Sequence, residues 1–365
     1  MASPKIAPIT YADYRRLAEK QLPGFMFDYI DGGCNQEQTM RANERDFQNV
    51  HLKQQVMRNV SDVSTESSML GQKVAMPIAL APVGMAGMMA RRGEVQAAKV
   101  AEQIDLPFTV STVGVCSVEE VRRQVQSNFW FQLYMLRDRS LVEAILERAR
   151  EAGCNTLVFT VDLAVAGMRH RDYQNGMLAP GVKAQLAKLF QIMTRPQWAF
   201  NVGLKGKPHC LGNLEGVAPV STDFNTIKPF IDSQFDPAVT WADIAWLRSI
   251  WAGKLIIKGV LEADDAKRAI DAGADAVVVS NHGGRQLDGV ASSISKLPAV
   301  VAAVSDQAEV LVDGGIRNGI DVLKALALGA RGVMIGRPWV MALAAGGELA
   351  LQHYLETVQQ EMEVG

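Results

Sequence analysis

The segment Ser280-Asn281-His282-Gly283-Gly284-Arg285-Gln286-Leu287-Asp288 holds two side chains suited to acid–base chemistry on an anion. A histidine titrates near neutrality and can take up a proton from a reacting group. An arginine three residues later presents a planar, permanently charged fork that matches a carboxylate. The two glycines between them permit a sharp turn and leave room for a flat group. The pattern reads as a base and an anion anchor converging on one small acid. A His-x-x-Arg turn alone is commonly a solvated surface feature, so the reading depends on what positions it.

The apolar run Ala276–Val279 just before this segment reads as a buried strand. A helix-like stretch ending at glycine, then a short apolar run, recurs along the chain. It appears around Gly153, Gly273 and Gly329. Glycine past a helix end supplies the left-handed cap, and a short uninterrupted apolar run is the signature of a strand covered on both faces. Eight such runs are found, at 78–81, 108–111, 130–134, 157–161, 255–258, 276–280, 310–313 and 332–336. Helical segments separate them, one announced by the capping pattern Ser117-Val118-Glu119-Glu120.

Eight strand–helix units predict an α/β fold, a (β/α)8 TIM barrel, with chemistry at the C-terminal ends of its strands. Ser111, Gln132, Tyr134, Thr160, Asp162, Lys258, His282, Arg285, Asp313 and Arg337 all fall at or just past such ends. A doubly wound sheet would show a Gly-x-Gly-x-x-Gly turn after its first strand, and none occurs. The whole chain, 1–365, is expected to form one domain: an N-terminal helical extension (1–74), the barrel (75–365), and a long insertion after strand 4 (170–235).

Composition narrows the class. Of 365 residues, 48% are hydrophobic and 21% charged, with a formal charge of −2, which fits a globular protein and gives no sign of a nucleic-acid partner. Four cysteines, Cys34, Cys116, Cys154 and Cys210, form no metal-binding spacing, so no metal is expected. Charged residues soon after the start argue against a secretory leader, and the longest uncharged stretch is too short and proline-broken for a membrane span. Residues 173–214 lack acidic side chains yet hold Lys183, Lys188, Arg195, Lys205 and Lys207, with Val182, Leu186, Leu189, Phe190 and Met193 on one helical face. Two roles fit this element: a lid over the barrel mouth, or a contact with an anionic membrane surface.

The chain resembles the FMN-dependent α-hydroxy acid dehydrogenases and oxidases from Tyr11 to about Glu363. The likeness rests on Phe27-Asp28-Tyr29 with Gly32-Gly33, Ala81-Pro82-Val83-Gly84-Met85, Phe131-Gln132-Leu133-Tyr134, Thr160-Val161-Asp162, Ile257-Lys258-Gly259, the 280–288 segment, Asp313-Gly314-Gly315-Ile316-Arg317 and Ile335-Gly336-Arg337-Pro338. Within the family it is most similar to the bacterial respiratory L-lactate dehydrogenases, on 90–98, Ser111-Thr112-Val113 and Pro196-Gln197-Trp198.

The resemblance implies roles. His282 is the general base, oriented and stabilised by Asp162. Arg285 clamps the substrate carboxylate, Tyr29 adds a hydroxyl, Tyr134 stabilises the substrate oxygen and Arg169 is a second cation. Lys258 faces the N1/O2 edge of FMN, where negative charge gathers on reduction. Ser111, Gln132 and Thr160 hydrogen-bond the ring, and Val83 and Gly84 approach N5. Asp313, Gly314, Gly315, Arg317, Gly336 and Arg337 form the phosphate end, where backbone donors and arginine suit a barrel phosphate site. The same resemblance implies a quinone acceptor, a homo-tetramer, and a peripheral place on the cytoplasmic side of the bacterial inner membrane. Two departures matter. Ala164 replaces a usual proline, so that 162–169 is similar to mandelate dehydrogenases too, and Val113 stands where glycolate-type oxidases carry a bulky aromatic.

Overall fold

A computed structural model describes residues 7–216 and 224–365. Residues 1–6 of the expected extension and 217–223 of the expected insertion lie outside the described residues. Eight parallel strands form the barrel: β1 (Ile78–Leu80), β2 (Thr109–Ser111), β3 (Trp130–Leu133), β4 (Thr156–Thr160), β5 (Lys254–Val260), β6 (Ala276–Val279), β7 (Glu309–Asp313) and β8 (Gly332–Ile335). They pair in sequence order, β8 pairs with β1, and a parallel bridge between Leu80 and Phe108 completes the ring.

Alternation along these strands explains their unbroken hydrophobicity. Trp130, Val158, Ile256, Val278, Leu311 and Met334 fill the barrel interior, while neighbours such as Phe131, Leu157, Ile257, Val277, Val312 and Val333 belong to the outer core beneath the helices. Both faces are covered, so the strands are mostly apolar and their polar side chains fall at or near the ends. Gly153, Gly273 and Gly329, the glycines of the repeating pattern, have φ of 85°, 100° and 99°, the left-handed cap their spacing predicts.

Register sets the site. Ser111 lies opposite Gln132, Thr160 opposite Lys258, and Asp313 opposite Met334, so the polar residues share one layer at the C-terminal rim. A bulge between Lys258 and Val260 follows, at Gly259 with φ 108°. The barrel's other end is closed by a hairpin, Ser67–Met69 against Gln72–Val74, which drives Met69 and Val74 into the interior cluster. This hairpin departs from the wholly helical character expected of 1–74. Its short strands flank Leu70 and Gly71, both in left-handed conformation, a turn chemistry that overrides the local pattern.

The extension's helices Tyr11–Gln21 and Gly24–Asp31 run from the C-terminal helix Arg337–Val364 to the barrel rim. Tyr14 packs edge-on against Tyr354, with ring centroids 5.6 Å apart. Helix Gln38–Arg45 then approaches β7 so closely that a Cβ on Gly315 would lie 2.0 Å from the Asn43 carbonyl oxygen, with Gly315 at φ 89°. Gly315→Ala therefore combines a strained backbone with a clash against main chain, each costing about 1–3 kcal/mol. Denaturant unfolding should show a destabilisation of at least that size, and a wild-type midpoint would contradict this packing.

Candidate active site

His282 follows β6 with φ 57°, a left-handed conformation uncommon for a non-glycine residue. Two contacts hold it. Its backbone N–H donates to Ser280 Oγ at 3.0 Å, and its Nδ1 lies 2.7 Å from Asp162 Oδ1. The bond to a carboxylate places the proton on Nδ1 and leaves Nε2 as the free base. Nε2 faces the cavity, 3.4 Å from the Tyr134 hydroxyl. Burial works against the Asp162 charge, but His282 and Lys258 outweigh it and hold the carboxyl below its ordinary range. Burial and the nearby Asp162 push the Tyr134 phenol up, so it is a neutral donor at working pH.

Arg285 has no carboxylate within ion-pair distance among the described residues. All its hydrogen bonds leave from Nη1, to the Tyr29 carbonyl at 2.7 Å, Gly32 at 3.0 Å and Ile30 at 3.5 Å. Burial, then Arg169 and Arg337, pull its pKa down to about 9. A guanidinium does not give up its proton at such a site, so the shift signals uncompensated positive charge awaiting an anion. Arg169 and Arg285 lie 5.3 Å and 5.2 Å from the same Tyr29 ring. The Tyr29 hydroxyl donates to the Gly84 carbonyl at 3.4 Å.

Lys258 sits on the opposite wall, its Nζ 2.7 Å from Asp313 Oδ2 and donating to Ser280 Oγ at 2.9 Å. Burial opposes its charge, but Asp313 and Asp162 more than restore it, and its pKa rises. Ser111 Oγ donates to Gln132 Oε1 at 3.0 Å, which fixes the amide with its Nε2 free. Gln132 Nε2, Thr160 Oγ1, Asp313 Oδ1 and Arg317 Nε are all buried without a hydrogen-bond partner. Each such group costs about 1–3 kcal/mol unless something satisfies it. The donors and acceptors left open suit a ring edged with carbonyls and N–H groups, and a phosphate beyond it. The residues fit FMN.

One cavity, open to solvent at its mouth, unites most of the sequence-predicted residues. Tyr29, Val83, Gly84, Tyr134, Thr160, Arg169, Lys258, His282, Arg285, Asp313, Gly314, Gly315, Arg317, Gly336 and Arg337 line it. Asp162, Ser111 and Gln132 stand behind that wall. Arg317 pairs with Glu44 at 2.7 Å and lies 4.5 Å from the Tyr11 ring centroid. Arg337 spends its donors on the carbonyls of Ile30, Gly32 and Gly283, at 2.8–2.9 Å.

The turn glycines make the sharp turn expected of them, at φ 64° and 72°, but the room expected beside them is filled. A Cβ on Gly283 would lie 2.7 Å from Arg337 Nη1, and one on Gly284 would lie 2.5 Å from the Met40 amide nitrogen. The space is taken by protein rather than by a flat ligand. Sequence reasoning also left several contributors without a role. Ser280 bridges Lys258 to the His282 backbone. Gln286 Nε2 donates to the carbonyls of Asp162 and Val165 at 3.0 and 3.1 Å. Phe235 packs on Tyr134 with centroids 4.9 Å apart. Asp172 is buried in the cavity wall. Ser280 and Gln286 lie inside the motif and were reachable. Phe235 carries no signal in sequence.

Residues 18–365 match the family model described as FMN-dependent dehydrogenase. The chain is 49% identical to an L-lactate dehydrogenase of Pectobacterium atrosepticum, covering 96% of this chain and 91% of that protein. It is 50% identical to an L-lactate dehydrogenase of Azorhizobium caulinodans, covering 96% and 92%. Among solved structures it superposes on the monotopic membrane protein (S)-mandelate dehydrogenase with a TM-score of 0.91 at 34% identity, covering 98% of this chain and 94% of that one. A mandelate oxidase gives 0.82 at 36% identity, with 98% and 93% covered. With its base, its open cations and its unsatisfied ring-binding groups gathered at one barrel mouth, the chain belongs to the FMN-dependent dehydrogenases.

Proposed function

We propose that the protein oxidises an L-2-hydroxy acid, L-lactate foremost, to the 2-keto acid, and passes the electrons to a quinone. The observation that carries this is His282 Nε2, held by Asp162 and facing the same cavity as the open edge of Arg285. Arg285 would bind the substrate carboxylate through its free nitrogens, since Nη1 is committed to carbonyls. That places the α-carbon between His282 and the wall of Gly84 and Lys258. Tyr134 would donate to the substrate oxygen. His282 Nε2 would take a proton from the hydroxyl or the α-carbon, and Asp162, ionised and buried, would stabilise the imidazolium. Bound FMN would supply the two-electron acceptor, held by Ser111, Gln132, Thr160 and Lys258 with the 313–317 and 336–337 turns at its phosphate. The identity near 50% to L-lactate dehydrogenases supports lactate. Mandelate is the second reading, favoured by an apolar wall of Val113, Leu163, Met177, Ile227, Ile231 and Phe235.

The same proposal gives the insertion two tasks. Cavity lining comes from 177–178 and 227–235, whereas no residue of the helix Val182–Met193 lines it. That helix exposes Val182, Leu186, Leu189, Phe190 and Met193, each by at least half. No helix of the described residues is long and apolar enough to cross a membrane. An apolar face flanked by lysines suits the anionic membrane surface, and so the cytoplasmic face of the inner membrane. A homo-tetramer remains part of the proposal.

Three tests follow from this site. His282→Ala should bind FMN normally yet lose flavin bleaching by L-lactate by about 10²–10⁴-fold. Bleaching at the wild-type rate would remove His282 as the base.

The holoenzyme should co-sediment with phosphatidylglycerol-containing vesicles at low salt and release as salt rises. Leu186→Glu with Phe190→Glu should abolish sedimentation while sparing turnover with a soluble dye. Equal sedimentation of both proteins would sink the membrane role.

A Cβ on Gly84 would lie 2.7 Å from Val113 Cγ2 and 3.3 Å from the Tyr29 hydroxyl, so alanine must push Val113 aside. Stopped-flow reoxidation of reduced wild type should be slow with oxygen and fast with a quinone analogue, and Gly84→Ala should shift that ratio. Rapid stoichiometric peroxide formation by the wild type would make it an oxidase.

A further inference from the structure

Asp172 is a buried acid with no stated purpose in the reaction. It lies in the short helix His170–Gln174 and lines the cavity that holds Arg285 and Tyr134, yet its residue is only 1% exposed. Neither of its carboxylate oxygens has a hydrogen-bond partner. Its nearest cation is Arg169, whose Nε is 3.0 Å from Oδ2, an ion-pair contact without hydrogen-bond alignment. A carboxylate this buried and this poorly bonded is costly, so the fold must gain something from keeping it.

The Arg169 guanidinium is steered by two groups: Asp172 on its Nε edge and the Tyr29 ring 5.3 Å away. Among the described residues no other ion pair engages that side chain, so its terminal nitrogens stay open. Arg285 is arranged alike, with Nη1 committed to carbonyls and the rest of its fork open. Two guanidiniums beside one tyrosine thus each turn a free edge to the cavity. Charge on this side is finely set: Arg285 and Arg169 supply two cations, and Asp172 is the acid that opposes them. Farther along the wall, Lys228 is paired with Asp232, so among the described residues no unpaired cation lines that part of the pocket.

We infer that Asp172 is a positioning and specificity-determining residue: it holds Arg169 edge-on to the substrate carboxylate and turns away 2-hydroxy acids carrying a second carboxylate. The inference rests on the function proposed above. A monocarboxylate meets two cations tempered by one anion. A dicarboxylate brings a second negative charge against Asp172 with no free cation to receive it. Removing the acid should loosen Arg169 and admit the dianion.

The test compares flavin-loaded wild type, Asp172→Asn, Arg169→Met and the double variant. Steady-state rates with L-lactate and L-malate are read beside equilibrium titrations of the flavin absorbance with pyruvate and oxalate. Asp172→Asn should raise KM for lactate about tenfold with kcat nearly kept, and should move the malate-to-lactate ratio of kcat/KM upward at least tenfold. Oxalate should bind tighter relative to pyruvate by a similar factor. In the Arg169→Met background the added Asp172→Asn should leave the lactate KM unchanged, since an effect transmitted through Arg169 vanishes without it. Wild-type ratios in Asp172→Asn, or equal losses of lactate KM in both backgrounds, would overturn the inference. Loss of flavin from both Asp172→Asn and Asp172→Ser, while Arg169→Met keeps it, would overturn it also, by making Asp172 purely structural. The titrations need no turnover, so a wild type inactive on lactate would refute the lactate reading and still leave the Asp172 comparison decisive.

Discussion

The site depends on two buried guanidiniums that fasten the N-terminal extension to the barrel mouth. Helix Gly24–Asp31 ends with carbonyls that have no partner within the helix, and its C-terminus carries partial negative charge. Arg285 and Arg337 supply the donors, reaching the carbonyls of Tyr29, Ile30 and Gly32. The contact satisfies orphan acceptors and fixes both arginines at once. It also brings Tyr29 over the mouth and commits one edge of Arg285, which leaves the other edge aimed at an anion. The Gly283–Gly284 turn exists to let Arg337 and residue 40 come this close.

Charge then alternates across the rim. Asp313 holds Lys258, Lys258 reaches Ser280, Ser280 receives the His282 amide, and His282 is held by Asp162. Buried ions persist when each has a partner; among the described residues Arg285 and Arg337 have carbonyls but no carboxylate. That surplus positive charge supports the proposed anion site, and the open groups of Gln132 and Thr160 beside Lys258 support the proposed cofactor side. Ser280 links the two, so Lys258 and the strained backbone of His282, the proposed base, share one hydroxyl.

Much of this was legible because the barrel forces it to be. Strands covered on both faces must be apolar, so the polar residue that ends each run stands out, and Ser111, Gln132, Thr160, Lys258 and Asp313 were found that way. The strand limits differ by a residue or two from the apolar runs, since Ala81 and Tyr134 continue the hydrophobicity past the last residue of their strands. What stayed hidden depends on burial and on how segments pack. Nothing in sequence shows that Arg337, besides lining the cavity, donates to carbonyls some 300 positions away. Asp172 reads as an ordinary helical acid until burial shows it against Arg169. The hairpin that plugs the barrel floor is too short, and too polar at Ser67, Ser68, Gln72 and Lys73, to announce two strands.

Helix Gly24–Asp31 also explains how one chain serves a surface and a pocket. Its N-terminal amides are orphans as its C-terminal carbonyls are. Gln191, on the exposed apolar helix, accepts from the Phe25 amide at 2.8 Å, and Arg195 just beyond donates to the Leu22 carbonyl at 3.1 Å. The approach is close: a Cβ on Gly24 would lie 2.9 Å from Gln191 Oε1 and displace that amide. One short helix is therefore capped at its start by the apolar surface element and at its end by Arg285 and Arg337. Helices have little axial compliance, so the two features are held at a set separation.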